Sequence, residues 1–214
     1  MKTILIIDDH DIVRFALQTL INSSQAMHVV DIQPSLALGL ASITRLKPDL
    51  VVCDMSLGDS RGLDTMRAVT QAQSPRPTLM LSMHDEMIYA EQALALGAKG
   101  YLMKERAQEF LLLAIEKLLG GEIWVSAQVN AFLLNNLMSR KSKESSLQPV
   151  KLLGHLSQRE LEVLEKIGGG KTTKEIAFEF GLSPRTVDIH RANIKKKLAL
   201  RTSAEVLAFA LTRT

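Results

Sequence analysis

At 214 residues the chain has room for one large domain or two modest ones. Its charge favours two, and nucleic acid as the partner of the second: residues 1–139 carry 11 Lys and Arg against 15 Asp and Glu, a balance of −4, while residues 140–214 carry 15 against 8, a balance of +7. A single cysteine excludes an internal disulfide, and no run of about 18 apolar residues, basic leader or cleavage site appears, so a soluble cytoplasmic protein with no membrane partner is expected.

Strand-like apolar runs are predicted near residues 3–7, 27–32, 50–53, 78–81 and 100–103. Cys53 lies inside the third run and reads as a buried, reduced thiol. Apolar residues at helical spacing follow each run, over 12–21, 36–46, 63–69, 87–96 and 110–119. This is the pattern of five βα units, whose right-handed crossovers put helices on both faces of a parallel sheet. Asp8 and Asp9 follow the first run, Asp54 the third, Ser82 the fourth and Lys104 the fifth. The C-terminal strand edge would therefore bring these groups to one rim. Gly120 and Gly121 stop the fifth helix and the alternation ends, which places a first domain at 1–122. Residues 130–138 can form one more helix, but 140–149 are polar and breaker-rich, so 123–149 is read as a linker with room for that helix.

The third region, 150–214, contains only helical patterns. Ser157 and Glu160 have capping-box spacing ahead of Leu161, Val163, Leu164 and Ile167, and Gly168, Gly169 and Gly170 end that helix. A short helix is predicted at 173–180, a longer one from Ser183-Pro184 to about Leu198, and a last one from Ser203 with Val206, Leu207 and Phe209. The expected fold is α/β: a five-stranded parallel doubly wound domain followed by a small all-α domain.

Clustered carboxylates do not stay ionised together without a cation. Oxygen ligands argue for a hard ion, and Mg2+ suits a shallow site with few protein ligands and several waters. Asp8 or Asp9 and Asp54 would supply carboxylates, and the backbone carbonyl near Ser56 a further ligand. Lys104 and Ser82 would stabilise a phosphoryl group in transit, with one carboxylate as nucleophile. Singly these residues say little, since a strand-end Asp commonly caps a turn; their order and spacing across five βα units is the specific signal.

With Asp8-Asp9, Asp54 and Ser82 at their strand ends, and GAKGYLMK closing on Lys104, residues 1 to about 120 resemble the receiver domain of a bacterial two-component response regulator. The resemblance implies that Asp54 accepts a phosphoryl group from a sensor histidine kinase. It also implies that Asp8, Asp9, Asp54 and the Ser56 carbonyl hold Mg2+, that Ser82 and Lys104 contact the phosphoryl group, and that Ser82 and Tyr101 act as a switch. One departure stands out: the family commonly has Met-Pro where this chain has Leu57-Gly58. Glycine frees φ where proline fixes it, so a more mobile Ser56 loop is expected.

The tail resembles the LuxR-type helix-turn-helix domain of the NarL/FixJ response regulators over nearly all of 152–210, through SQRELEVL, KEIA, LSPRTV, HRANI and KKL. By the resemblance the reader unit is about 172–191, with the helix after Pro184 in the major groove. Val187, Ile194 and Leu198 should face the core, while Arg185, Asp188, Ile189, Ala192, Lys195 and Lys196 face outward. Asp188 can accept from a cytosine amine, Ile189 can touch a thymine methyl, and Arg185, Lys195 and Lys196 can meet phosphate or guanine. Lys174, Ser183 and Thr186 complete the candidate DNA contacts. The last helix is either a dimer surface, as in the family, or packing for its own domain.

Phosphorylation would add roughly one to two negative charges at Asp54. Ser82 should then move toward the new oxygens and Tyr101 fill the space; by the resemblance this exposes the DNA reader or promotes a homodimer, raising affinity for paired half-sites of double-stranded promoter DNA and acting on the transcription machinery. Two other readings compete with this non-enzymatic regulator. An aspartyl-phosphate phosphatase or mutase would need a second Asp where Ser56 stands, and Mg2+-dependent phosphorylation separates a constitutive DNA binder.

Overall fold

The computed structural model describes residues 1–140 and 156–212. From residue 141 onward the segment read as a linker lies outside them. The chain divides into two compact units, Met1–Asn130 and Ala131–Thr214.

In the first unit the elements run β1 (Lys2–Ile7), α1 (Asp11–Asn22), β2 (Met27–Gln33), α2 (Leu36–Leu46), β3 (Leu50–Asp54), β4 (Ser56–Leu57), β5 (Ser60–Arg61), α3 (Leu63–Gln73), β6 (Thr78–Ser82), α4 (Glu86–Ala95), β7 (Gly100–Met103), a 3-10 turn (Lys104–Arg106) and α5 (Ala107–Leu119); α6 (Ala127–Arg140) begins in this unit and runs past its last residue. Five strands form a parallel sheet in the order β2-β1-β3-β6-β7. Strand order reverses direction between β1 and β3, which opens a crevice beyond their C-terminal ends. The register pairs Ile7 with Cys53, Asp54 with Leu81 and Ser82 with Met103, so the polar residues at the ends of these strands finish at one level.

Alternation assigns the two faces. Ile4 and Ile6 of β1 join Val52, Leu79 and Leu81 in one core with Leu17 and Ile21 of α1 and Leu111, Ile115 and Leu118 of α5. Ile7 points the other way, toward α2. That helix comes so close that a Cβ on Gly39 would lie 2.4 Å from Ile7 Cδ1, so the absence of a side chain sets the helix–sheet distance. At the sheet edge Tyr101 N donates to Trp124 O and Trp124 N to Lys99 O, both at 3.0 Å, which satisfies backbone groups the edge strand would otherwise expose.

The loop after Asp54, where the family commonly has Met-Pro, is tied by several hydrogen bonds. Ser56 pairs with Arg61 and Leu57 with Ser60 in a small antiparallel hairpin. The Asp59 carboxylate accepts from Leu36 N at 2.9 Å and Ala37 N at 3.1 Å, capping α2. Gly62 N donates to Met55 O at 2.8 Å. Backbone pairing and an acid at a helix N-terminus fix this loop without a proline.

The second unit contains α7 (Gln158–Gly168), α8 (Thr173–Phe180), α9 (Pro184–Lys197) and α10 (Ser203–Leu211). Each start has a chemical cause. Ser157 with Glu160 and Thr172 with Glu175 form capping boxes, Ser183 accepts from Thr186 N ahead of Pro184, and Thr202 accepts from Glu205 N. Gly181 ends α8 at φ 62°, a left-handed conformation that favours glycine. Leu161, Leu164, Ile167, Ile176, Val187, Ile194, Leu198 and Val206 are buried, so α7 packs against α9 and α10, and α8 against α9. No described helix is long and apolar enough to cross a membrane.

Candidate functional site

Three strand ends and the turn after a fourth converge as the sequence implied. Asp8, Asp54 and Ser82 are at most 3% exposed. Lys104 Nζ lies 2.6 Å from Asp8 Oδ2 and 2.6 Å from Asp54 Oδ2, a single ammonium between two buried carboxylates. The other Asp54 oxygen accepts from Ser56 N at 3.1 Å, and Asp8 Oδ1 from His10 N at 2.8 Å. Burial pushes the Asp54 carboxyl above its ordinary range, against the pull of Lys104 and Ser56 N–H and with a further push from Asp8. Burial also works against the Lys104 ammonium, but its hydrogen bonds to Asp54 and Asp8 win and lift it above the usual lysine value. Cys53, fully buried beside them, is pushed well up by burial and by Asp54 and Asp8, which makes it an inert thiol.

Ligand atoms of Asp8, Asp9, His10 and Asp54 lie within 4.8 Å of one another. Three carboxylates face one ammonium there, an imbalance of two charges that a divalent cation corrects. Oxygen donors from three carboxylates suit a hard ion, so the residues present fit Mg2+.

Several participants escaped the sequence reading. His10 Nδ1 is 2.9 Å from Asp9 Oδ1, and Arg14 Nη1 donates to the Asp8 carbonyl at 2.6 Å. Only their position beside the acidic pair signalled them. His84 links the two predicted switch residues: its N–H donates to Ser82 Oγ at 2.9 Å, and its carbonyl accepts from Tyr101 OH at 3.0 Å. Its Nε2 lies 3.4 Å from Ser56 Oγ. Tyr101 is itself buried, so the backbone of His84 joins two buried residues.

In the helical unit Val187, Ile194 and Leu198 are buried as anticipated. Arg185, Asp188, Ile189, Ala192 and Lys196 are exposed on α9, and Lys174 on α8. Lys195 is half-buried on a flank, lining a depression with Asp188, Arg191 and Ser203. Ser183 and Thr186 are occupied with each other, their hydroxyls 2.8 Å apart. Thr173 Oγ1 donates to Asp188 Oδ1 at 3.4 Å, and Lys197 Nζ bonds to Glu160 at 2.7 Å, taking it out of the outward face.

Residues 4–116 match the family described as response regulator receiver domain, and residues 154–210 the family described as bacterial regulatory proteins, luxR family. The chain is 32% identical to the oxygen regulatory protein NreC of Staphylococcus haemolyticus and 33% identical to that of Staphylococcus aureus, over 98% of this chain and 97% of each relative. In fold it is similar to RcsB from Salmonella enterica serovar Typhimurium, solved bound to a promoter in the presence of a beryllofluoride phosphomimetic, with a TM-score of 0.59 at 21% identity over 99% of this chain and 98% of that one. A LuxR-family two-component response regulator from an Aurantimonas species matches with a TM-score of 0.57 at 26% identity, over 67% of this chain and 99% of that one.

Proposed function

The chain belongs to the two-component response regulators that join a receiver domain to a LuxR-type helix-turn-helix domain, and from that premise we infer that phosphoryl transfer from a sensor histidine kinase to Asp54 controls its sequence-specific binding to double-stranded DNA. Its receiver domain is assigned to 1–122, the linker to 123–149 and the DNA-binding domain to 150–214. The observation that carries the reading is the position of Lys104, 2.6 Å from both Asp8 and Asp54 at the crevice where β1 and β3 diverge.

Asp54 is the nucleophile. Lys104 supports the ionised carboxylate and then meets the negative oxygens of the incoming group, and Ser82 offers its hydroxyl from the neighbouring strand. Asp8, Asp9, Asp54 and the Ser56 carbonyl would hold Mg2+, which when bound supplies the charge that neutralises the phosphoryl oxygens. Ser82 turning toward that group releases its bond to His84 N, and the loop carrying His84 relays the change to Tyr101. In the helical unit Arg185, Asp188, Ile189, Ala192 and Lys196 of α9 meet the major groove, with Lys174, Ser183, Thr186 and, from the flank of α9, Lys195 beside the phosphates. Phosphorylated copies pair on promoter half-sites in the cytoplasm and act on the transcription machinery. RcsB, whose structures include dimers bound to DNA, supports that part by fold. A phosphatase reading is disfavoured by Ser56, a non-acid, two residues beyond Asp54.

The test is incubation of the full chain with a small phosphodonor and Mg2+, followed by intact mass and DNA-binding measurements. Wild type should gain one phosphoryl group and bind DNA more tightly. Asp54→Asn should fold normally, gain nothing and keep basal DNA affinity. An equal gain in DNA affinity for Asp54→Asn would falsify the mechanism.

A further inference from the structure

We propose that α9 reads its half-site through a thymine methyl group contacted by Ile189, and not through guanine. This rests on the assignment of α9 as the DNA reader. The side chains exposed on α9 are those of Pro184, Arg185, Asp188, Ile189, Ala192, Asn193 and Lys196. From Arg185 on, their spacing makes one outward stripe opposite buried Val187, Ile194 and Leu198. The cations of that stripe stand at its ends. Arg185 and Lys196 are eleven residues apart, roughly 16 Å along the axis, about five base pairs at about 3.4 Å each. They suit the phosphates that flank a short run of bases.

The other cations of the helix are turned elsewhere. Lys197 bonds to Glu160 on α7, while Arg191 and Lys195 are half-buried on the flank that faces Ser203 of α10. Guanine offers two acceptors in the major groove and is read best by Arg or Lys, and the centre of the stripe has neither. At that centre stands Asp188, an acceptor steadied by Thr173 Oγ1, which repels guanine O6 and N7 and favours the exocyclic amine of cytosine. Beside it is Ile189, a branched apolar side chain 54% exposed on the same outward stripe. Ala192 follows on the next turn, too short to hold the helix away from the bases. In the major groove the apolar group that matches Ile189 is the C5-methyl of thymine.

The experiment uses the full chain with Mg2+ and beryllofluoride. Binding sites are selected from a random duplex library, and the enriched site is remade with each thymine replaced in turn by deoxyuridine, which lacks only the methyl group. Wild type should lose about fourfold in affinity at one thymine of each half-site, the worth of one buried methyl group. Ile189→Ala, altered at an exposed position, should keep its helicity and salt dependence and bind thymine and uracil alike there. Tolerance of uracil at every position by wild type overturns the proposal, as does persistence of the uracil penalty in Ile189→Ala. Losses from 7-deazaguanine that exceed every uracil effect overturn it too. A library that enriches no sequence overturns the reader assignment itself.

Discussion

Lys104 is the residue on which the receiver site turns, because it is the counter-charge for two carboxylates that burial removes from water. Removing one partner of a buried ion pair costs about 3–5 kcal/mol, mostly as the penalty of the charge left behind. Lys104→Met should therefore lower the unfolding free energy of the first unit by about that amount in metal-free buffer. If the deficit is one of charge, millimolar Mg2+ should restore a good part of it, since the ion would be held by the same oxygens. Urea titration followed by the fluorescence of Trp124, the chain's single tryptophan, measures both states. A deficit untouched by Mg2+ would show that the methionine disturbs packing instead.

At the scale of elements, two contacts fix how helices sit. Gly39 lets α2 rest on β1, and a Cβ there would meet Ile7 Cδ1 at 2.4 Å. Overpacking a filled core costs about 1–3 kcal/mol, so Gly39→Ala should destabilise by that much in urea, and Ile7→Val, which deletes the nearest of the clashing carbons, should recover part of it. Glu160 ties α7 to α9: its carboxylate accepts from Ser157 N and Lys197 Nζ, both at 2.7 Å. Burial works to raise this carboxyl, but the bonds from Lys197 and Ser157 outweigh it and hold it below its ordinary 4.5. The folded value lies below the unfolded one, so the stabilisation is full above about pH 4.5 and fades as pH falls through the folded value. Glu160→Gln should cost about 1 kcal/mol at pH 7, read from amide exchange in α7, and the gap from wild type should close in acid. The sequence revealed these elements unevenly. Buried parallel strands announce themselves as apolar runs, and Ser157 with Glu160 as a spaced pair. The β4–β5 hairpin did not, because two-residue strands have no periodicity and Asp59 caps a helix 23 residues away in sequence. Thr172 with Glu175 was legible in principle, having the same spacing as Ser157 with Glu160. His84 was not, since its role comes from backbone atoms that any residue supplies.

For the whole molecule, charge sets a condition on how the two units can communicate. Phosphorylation adds roughly one to two negative charges to a front region already at −4, which by itself weakens attraction to DNA. A phosphoryl-dependent gain in affinity that comes from copies binding together on paired half-sites overcomes this loss, because the second copy binds at high effective concentration. On a duplex with one half-site, beryllofluoride should leave affinity unchanged or slightly lower; on two half-sites it should raise affinity in a way that depends on protein concentration. Salt provides an independent count. Each neutralised phosphate contributes about 0.9 to the slope of log affinity against log salt. Lys196→Ala, at the exposed end of the reading stripe, should thus reduce the slope by about 0.9 on a single half-site and about 1.8 on a pair. Anisotropy titrations across a salt series give both numbers. A slope that falls equally on the two duplexes would mean that one copy grips the paired site alone, and the gain would need a different origin.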